Sequence, residues 1–158
     1  MNILTESHKR LLIDLLNSGV EFLLIGGYAV NYHGYPRYTM DMDIWLRPDA
    51  ANKQRFIAFI QKQGFSDESI DHLKTLDFSA AQAFHIGERE TRIDFVTKIS
   101  GVEFKEAFER CAKLSLAGKT IPVLQYEDLM INKMLSGRPK DKADVDELQK
   151  IRSSGKTK

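Results

Sequence analysis

Two aspartates, Asp41 and Asp43, lie one residue apart in the segment MDMDIWL at 40–46. The segment is otherwise apolar and is typical of a buried β-strand. Because side chains alternate across a strand, both carboxylates point to one face, and Met42 and Ile44 point to the other. Like charges at this spacing repel, and a hard divalent cation such as Mg²⁺ relieves the repulsion because it prefers oxygen ligands. The pair therefore predicts a metal site.

A third carboxylate has the same setting later in the chain. Asp94 in TRIDFVT (91–97) alternates with Ile93 and Phe95 in a second predicted strand. If the two strands are neighbours, Asp94 faces the aspartate pair. Three carboxylates on one sheet face can hold two metal ions, and two such ions can clamp both oxygens of a phosphoryl displacement.

The glycine pair Gly26-Gly27 follows the apolar strand EFLLI (21–25) and precedes a predicted helix start. Without side chains, these residues let the backbone approach a ligand closely. Free N–H groups at a helix start also favour an anion such as a phosphate. The segment thus combines a predicted phosphate cradle with a metal site. A simple tight turn is the alternative for the glycines, as a surface position is for the aspartates.

Two cations and two further carboxylates have open interpretations. Lys133 lies beside the apolar stripe of a predicted helix, where it either reaches inward to a triphosphate or extends to water. Arg37 either binds a phosphate or base, or pairs with a strand aspartate. Asp141 and Asp144 share one face of the last predicted helix. An interaction with the helix dipole is preferred for them over organising Lys133 or Arg138.

The elements that position these groups follow from hydrophobic periodicity and from glycine and proline boundaries. Helices are predicted at 5–17, 28–34, 48–64, 104–113, 127–135 and 139–152, and strands at 21–25, 40–46, 80–86, 91–97 and 120–124. The turn GERE joins the strands 80–86 and 91–97 into a predicted hairpin. Helices interleaved among strands indicate an α/β or α+β fold with a mixed sheet.

Composition indicates one globular domain at 1–152 followed by a flexible basic tail at 153–158. The chain has 158 residues, of which 42% are hydrophobic and 28% charged, and its net charge of +1 does not indicate a general nucleic-acid binder. Cys111 is the single cysteine, so an internal disulfide is excluded. We expect it to lie in an amphipathic helix with its side chain in the protein core. Asp14 interrupts the first apolar stretch, and no apolar run approaches the roughly 20 residues of a membrane helix. We therefore expect a cytoplasmic protein without a secretory leader or membrane span.

The stretch IGGYAVNYHGYPRYTMDMDIWL (25–46) resembles the signature of the nucleotidyltransferase superfamily that includes DNA polymerase β. That signature is a hydrophobic residue, Gly, then Gly or Ser, a short gap and Asp-hydrophobic-Asp-hydrophobic, and Asp94 in RIDFV matches its third carboxylate. PRYTMDMDIWL and NKMLSGRPKDKADVDEL further resemble small bacterial nucleotidyltransferase-like proteins, including relatives of type IV toxins and of minimal nucleotidyltransferase antitoxins. One departure is Gly27, because many active members have a serine there whose hydroxyl can contact a phosphate.

The resemblance implies a nucleotidyltransferase-like mixed sheet flanked by helices, with a helical C-terminus. It implies transfer of a nucleoside monophosphate from ATP or another nucleoside triphosphate to an acceptor hydroxyl. By the same resemblance, Asp41 and Asp43 hold two Mg²⁺ ions, and Asp94 completes the acceptor-side ion. The nucleotide-binding residues it implies are Gly26, Gly27, Arg37 and Lys133.

The acceptor remains open at this point. An RNA end, a protein side chain and a small molecule are the alternatives, and a toxin–antitoxin partner protein is one source of a protein acceptor. Two rival functions use the same features. One is a non-catalytic module of the same fold that binds a protein or RNA, and the other is a metal-dependent nuclease or phosphohydrolase.

Overall fold

The structure is a computed structural model that describes residues 4–155, without the side chain of Glu90. The helices are α1 (Glu6–Asn17), α2 (Gly26–Tyr32), α3 (Ala50–Lys62), α4 (Asp67–Thr75), α5 (Phe104–Glu109), α6 (Tyr126–Ser136) and α7 (Pro139–Ser153). The strands are β1 (Phe22–Ile25), β2 (Met42–Leu46), β3 (Ala83–Ile86), β4 (Ile93–Val96), β5 (Ala112–Leu116) and β6 (Lys119–Val123). A short 3₁₀ turn at Arg89–Thr91 joins β3 to β4.

The strands form one mixed sheet in the order β3-β4-β2-β1-β6-β5. The pairs β1–β2, β3–β4 and β5–β6 are antiparallel, whereas β2–β4 and β1–β6 are parallel. The predicted hairpin between the third and fourth strands is confirmed. The predicted fold class is confirmed as well, because helices flank a mixed sheet and two helices end the described chain.

Local sequence signals explain where several helices begin and end. Thr5, Asp49 and Ser66 each accept a hydrogen bond from the backbone N–H three residues later, which satisfies a free donor at the start of α1, α3 and α4. Gly137 adopts a left-handed conformation with φ of 71° and ends α6. Pro139 then occupies the first turn of α7, where its missing N–H has no helical partner to lose.

One part of the core lies between the sheet and the helix α3. Phe56 of α3 packs against Phe84 and Phe95, with ring centroids 5.8 and 4.9 Å apart. Because Phe95 lies on the face covered by α3, its neighbour Asp94 points to the opposite face. The packing of α3 therefore fixes which sheet face presents the strand carboxylates.

One predicted helix is wrong in its second half. The helix predicted at 104–113 ends at Glu109, and β5 begins at Ala112, so Cys111 lies between a helix and a strand. β5 is an edge strand whose residues alternate between exposed and partly buried, which gives a weak apolar signal. Ala117 and Gly118, with φ of 50° and 75°, form the turn to β6.

Two other differences concern the boundaries near the site and the middle of the chain. Helix α4 falls in a region for which no element was predicted, and its apolar face is limited to Ile70 and Leu73. β2 begins at Met42, so Asp41 precedes the strand by one residue instead of lying within it.

The described chain contains no helix that is both long and apolar enough to cross a membrane. Of the tail predicted at 153–158, Ser153 is the last residue of α7, and residues 156–158 lie outside the described part.

Candidate active site

Asp43 and Asp94 lie side by side on neighbouring parallel strands. Asp43 on β2 is in direct register with Asp94 on β4. Neighbouring strands are about 4.8 Å apart, so both carboxylates can reach a shared ligand. Asp41, which directly precedes β2, lines the same cleft of about 660 Å³. We call it the aspartate cleft; its walls include Gly26, Gly27, Asp41, Asp43, Asp94 and Lys133.

The surroundings of Asp43 in the cleft disfavour its charged form. Burial, and then the negative charges of Asp94 and Asp41, raise the pKa of Asp43 from 3.8 to about 6. Lys140 and Lys133 partly oppose this rise. A carboxylate in such a setting is stabilised by a proton or by a cation, because either removes the repulsion between like charges.

Asp94 already has one cationic partner. Nε and Nη2 of Arg92 donate hydrogen bonds to Oδ1 of Asp94 at 3.1 and 3.0 Å. Arg92 directly precedes β4, the strand that carries Asp94. The ion pair between them orients the Asp94 carboxylate and partly compensates its charge. Arg92 was not among the residues selected from the sequence.

The donor chemistry of the cleft fits a divalent cation. Asp41, Asp43 and Asp94 supply carboxylate oxygens, which Mg²⁺ prefers. Burial and the neighbouring negative charges raise the pKa of Asp43, and a bound cation would offset both effects. Within residues 4–155, however, no three His, Cys, Asp or Glu side chains are already grouped closely enough to form a metal site. An ion held by all three carboxylates would share Asp94 with Arg92.

The glycine pair is required by packing within the chain. Gly26 has φ of 64°, and a Cβ added there would lie 2.2 Å from Oδ2 of Asp43. A Cβ on Gly27 would lie 2.4 Å from Oγ1 of Thr39. The missing side chains therefore let Asp43 and Thr39 pack against the start of α2. This gives the glycines a structural reason in addition to the predicted approach of a ligand.

A buried ion network forms the wall opposite the strands. Nζ of Lys133 lies 2.9 Å from Oδ1 of Asp141 and 3.0 Å from Oδ2 of Asp144. Arg37 donates to both oxygens of Asp144, at 2.7 and 3.0 Å, and Nε of Arg138 donates to Asp141 at 2.8 Å. We call these five residues the Lys133 network. It joins α6, α7 and the segment 33–41, which connects α2 to β2.

The network decides between the alternatives left open by the sequence. Lys133 does not extend to water, because its side chain is only 5% exposed. Arg37 pairs with a carboxylate of α7 and not with a strand aspartate. Asp141 and Asp144 organise Lys133 and its neighbours, so the preferred helix-dipole interpretation does not describe their main contacts.

Asp141 is held firmly in its charged form. Burial tends to raise the pKa of this carboxyl, but hydrogen bonds from Ser136, Lys133 and Arg138, together with the charge of Lys133, lower it to about 2. Asp141 therefore remains negatively charged throughout the physiological pH range.

Among the residues that line the cleft, Thr39, Lys98 and Lys140 were not selected from the sequence. Lys140 had a usable signal. It lies in the first turn of α7, where the helix dipole disfavours a positive charge, and such a local conflict indicates a role elsewhere. Thr39 and Lys98 had no comparable signal, because their positions depend on how the segments around β2 and β4 fold over the cleft.

The sequence matches the family described as "Nucleotidyl transferase of unknown function (DUF2204)" over residues 5–158. The chain belongs to this family. Family membership confirms the resemblance to nucleotidyltransferases and indicates nucleotidyltransferase activity. Nucleotidyl transfer generally uses divalent metal ions. No curated protein matches the sequence.

One solved structure gives the family fold further support. A crystal structure of the lincosamide antibiotic adenylyltransferase LnuA with lincomycin bound is similar to this chain, with a TM-score of 0.55 and 16% identity. The match covers 95% of this chain and 99% of that chain, so the similarity extends over the whole fold. An antigenic nucleotidyltransferase-like protein from Paracoccidioides brasiliensis has a TM-score of 0.49 at 15% identity, covering 89% of this chain and 71% of that one.

Proposed function

We propose that this family member is a Mg²⁺-dependent nucleotidyltransferase that moves a nucleoside monophosphate from a nucleoside triphosphate to an acceptor hydroxyl. The observation that supports this most is the register of Asp43 with Asp94 in a cleft that also contains Asp41. Cationic side chains line the same cleft, as a substrate with several phosphates requires. The family supports the general activity, and the metal, the site residues and the acceptor are part of the proposal.

The three aspartates form the metal side of the proposed site. Asp41 and Asp43 would hold two Mg²⁺ ions, and Asp94 would share the ion on the acceptor side. Bound ions of this kind neutralise the negative charge on the oxygens around the reacting phosphorus. Asp94 would also help to deprotonate the attacking hydroxyl, and hydrogen bonds from Arg92 orient its carboxylate.

Gly26, Gly27, Arg37 and Lys133 would border the bound nucleotide. The glycines leave the cleft floor without side chains, and the two cations add positive potential to its wall. The acceptor oxygen forms a bond to the α-phosphorus while the bond to pyrophosphate breaks, so no covalent enzyme intermediate is required. The protein then acts through positioning and electrostatic stabilisation.

Three classes of acceptor fit the proposed reaction. An RNA end, a protein side chain and a small molecule all present a hydroxyl, and a toxin–antitoxin partner would supply a protein one. The structural neighbour LnuA acts on a lincosamide antibiotic, which makes a small hydroxyl-bearing molecule a reasonable first acceptor to assay.

Calorimetric titration tests the substrate class before the acceptor is known. ATP, CTP, GTP and UTP are titrated into the protein with Mg²⁺ and, separately, with EDTA. We expect binding of at least one triphosphate that depends on Mg²⁺ and weakens in Asp43→Asn. If no triphosphate binds at millimolar concentration, the proposed function is wrong, and the interpretation as a non-catalytic module takes its place.

A further inference from the structure

Five cations line the aspartate cleft, and they differ in whether a carboxylate already neutralises their charge. Arg37, Lys133 and Arg138 belong to the Lys133 network. Lys98 and Lys140 line the cleft, are exposed, and form no ion pair with a carboxylate in the described part of the chain. This division suggests that the two groups have different roles.

Lys133 is poorly suited to direct contact with a phosphate. Its ammonium donates a hydrogen bond to Asp141 at 2.9 Å and forms an ion pair with Asp144 at 3.0 Å. The side chains of Asp141 and Asp144 are each only 2% exposed. If Lys133 turned toward a phosphate, two buried carboxylates would lose a cation, and breaking a buried pair in this way is strongly unfavourable.

Arg37 is also fixed by a buried carboxylate, and its contact with Asp144 holds a segment that borders the cleft. Its guanidinium binds both oxygens of Asp144, a bidentate contact that restricts orientation. Arg37 lies in the segment 33–41, which also carries Thr39 and ends at Asp41. The network therefore attaches to α7 the segment that places Asp41 in the cleft.

Lys98 and Lys140 approach the cleft from different walls. Lys98 follows β4, the strand of Asp94, whereas Lys140 lies in the first turn of α7. Lys140 is close enough to Asp43 for its charge to act on that carboxyl. Each ammonium has three donors that can bind phosphate oxygens without breaking an existing ion pair.

We infer that Lys98 and Lys140 contact the triphosphate, while Lys133 and Arg37 are positioning residues that hold the segment 33–41. This inference rests on the proposed function and names the phosphate contacts of that site. The affinity for the triphosphate should therefore depend on Lys98 and Lys140. Replacing Lys133 should mainly lower the stability of the cleft wall.

The test uses two probes, Mg²⁺–ATP and Mg²⁺–tripolyphosphate, titrated calorimetrically into the full chain. Lys98→Ala and Lys140→Ala should each weaken binding of both probes about tenfold, as expected for the loss of a charge-assisted contact. Lys142→Ala is the matched control, because Lys142 is exposed on the same helix as Lys140 but does not line the cleft. It should change the affinity by less than about twofold, since solvent screens its charge. Lys140→Arg should retain binding.

Thermal unfolding without ligand separates contact from positioning. Lys98→Ala and Lys140→Ala should leave the Tm unchanged, whereas Lys133→Met should lower it. If the wild type binds both probes and the two alanine variants bind them equally well, the assignment of Lys98 and Lys140 is wrong while the proposed function stands. The assignment is also wrong if Lys133→Met weakens tripolyphosphate binding tenfold at an unchanged Tm. If the wild type binds neither probe, both the assignment and the proposed function fail.

Discussion

Replacing Asp43 by asparagine should stabilise the protein in metal-free buffer at neutral pH. The substitution is nearly isosteric and mimics the protonated carboxyl, so it removes the cost of burying a charge and the repulsion from Asp94 and Asp41 without changing the packing. In the folded state the pKa of Asp43 is raised from 3.8 to about 6. The charged form therefore destabilises the folded state increasingly as the pH rises from about 4 through 6, and asparagine avoids that loss.

The magnitude follows from the pKa. A rise from 3.8 to about 6 corresponds to about 3 kcal/mol in the free energy of unfolding, at roughly 1.4 kcal/mol per pKa unit. Local relaxation and water reduce such energies, so we expect about half of this value to appear. For a chain of this length, that predicts a Tm about 3–6 °C higher in the variant above pH 7.

The assay is thermal unfolding of the wild type and Asp43→Asn at several pH values in EDTA. Comparing the two proteins cancels the contribution of every other titrating group. The stability difference should be near zero at pH 4 and largest above pH 7. It should shrink when millimolar Mg²⁺ is added, because only the wild type retains the full carboxylate set. A variant that is equally or less stable than the wild type at pH 8 in EDTA would refute the electrostatic reasoning.

Three other substitutions test separate parts of the structure. Gly26→Ala should lower the free energy of unfolding in urea by more than Gly64→Ala does. Both glycines have left-handed backbones, but only the added methyl at 26 meets a strand carboxylate. Equal decreases in the free energy of unfolding would contradict this packing. Asp144→Asn should lower the free energy of unfolding by about 2–4 kcal/mol, since it leaves Lys133 with one less carboxylate in a buried site. A decrease below about 0.5 kcal/mol would show that the Lys133 network contributes little to stability. Burial lowers the pKa of His33, so the unfolded state binds more protons below about pH 6.5 and stability falls as the pH decreases. His33→Gln should weaken this dependence in urea unfolding at pH 5.5 and 7.5, and an unchanged pH dependence would show that His33 is not its source.

The carboxylate positions could be predicted from the sequence because they depend on local regularities. Alternation along a strand gives the face of Asp43 and Asp94, and the turn after β3 gives the hairpin that brings β4 into the sheet. The pairing of β2 with β4 was only a condition at that stage. The structure supplies it: β2 and β4 pair in parallel, and Phe95 of β4 packs against Phe56 of α3.

The Lys133 network could not be predicted in the same way. Arg37 and Asp144 are 107 positions apart in the chain, and their contact depends on how α7 folds back over the segment 33–41. A lysine beside an apolar helix stripe is equally compatible with solvent exposure and with burial, since the partners that decide between them lie on another helix. The strand β5 was missed for a related reason: as an edge strand it buries little, so its sequence carries a weak periodic signal.

Transfer of a radioactive label tests the central claim most directly. The protein is incubated with Mg²⁺, a cell lysate as the source of acceptors, and a triphosphate labelled at either the α- or the γ-phosphorus. We predict that wild type transfers the α-label to an acceptor and that the γ-label leaves with pyrophosphate. Asp43→Asn, shown by its thermal unfolding to be folded, should transfer none. Equal transfer by Asp43→Asn would contradict the account, because the aspartate cluster would then be structural and not catalytic.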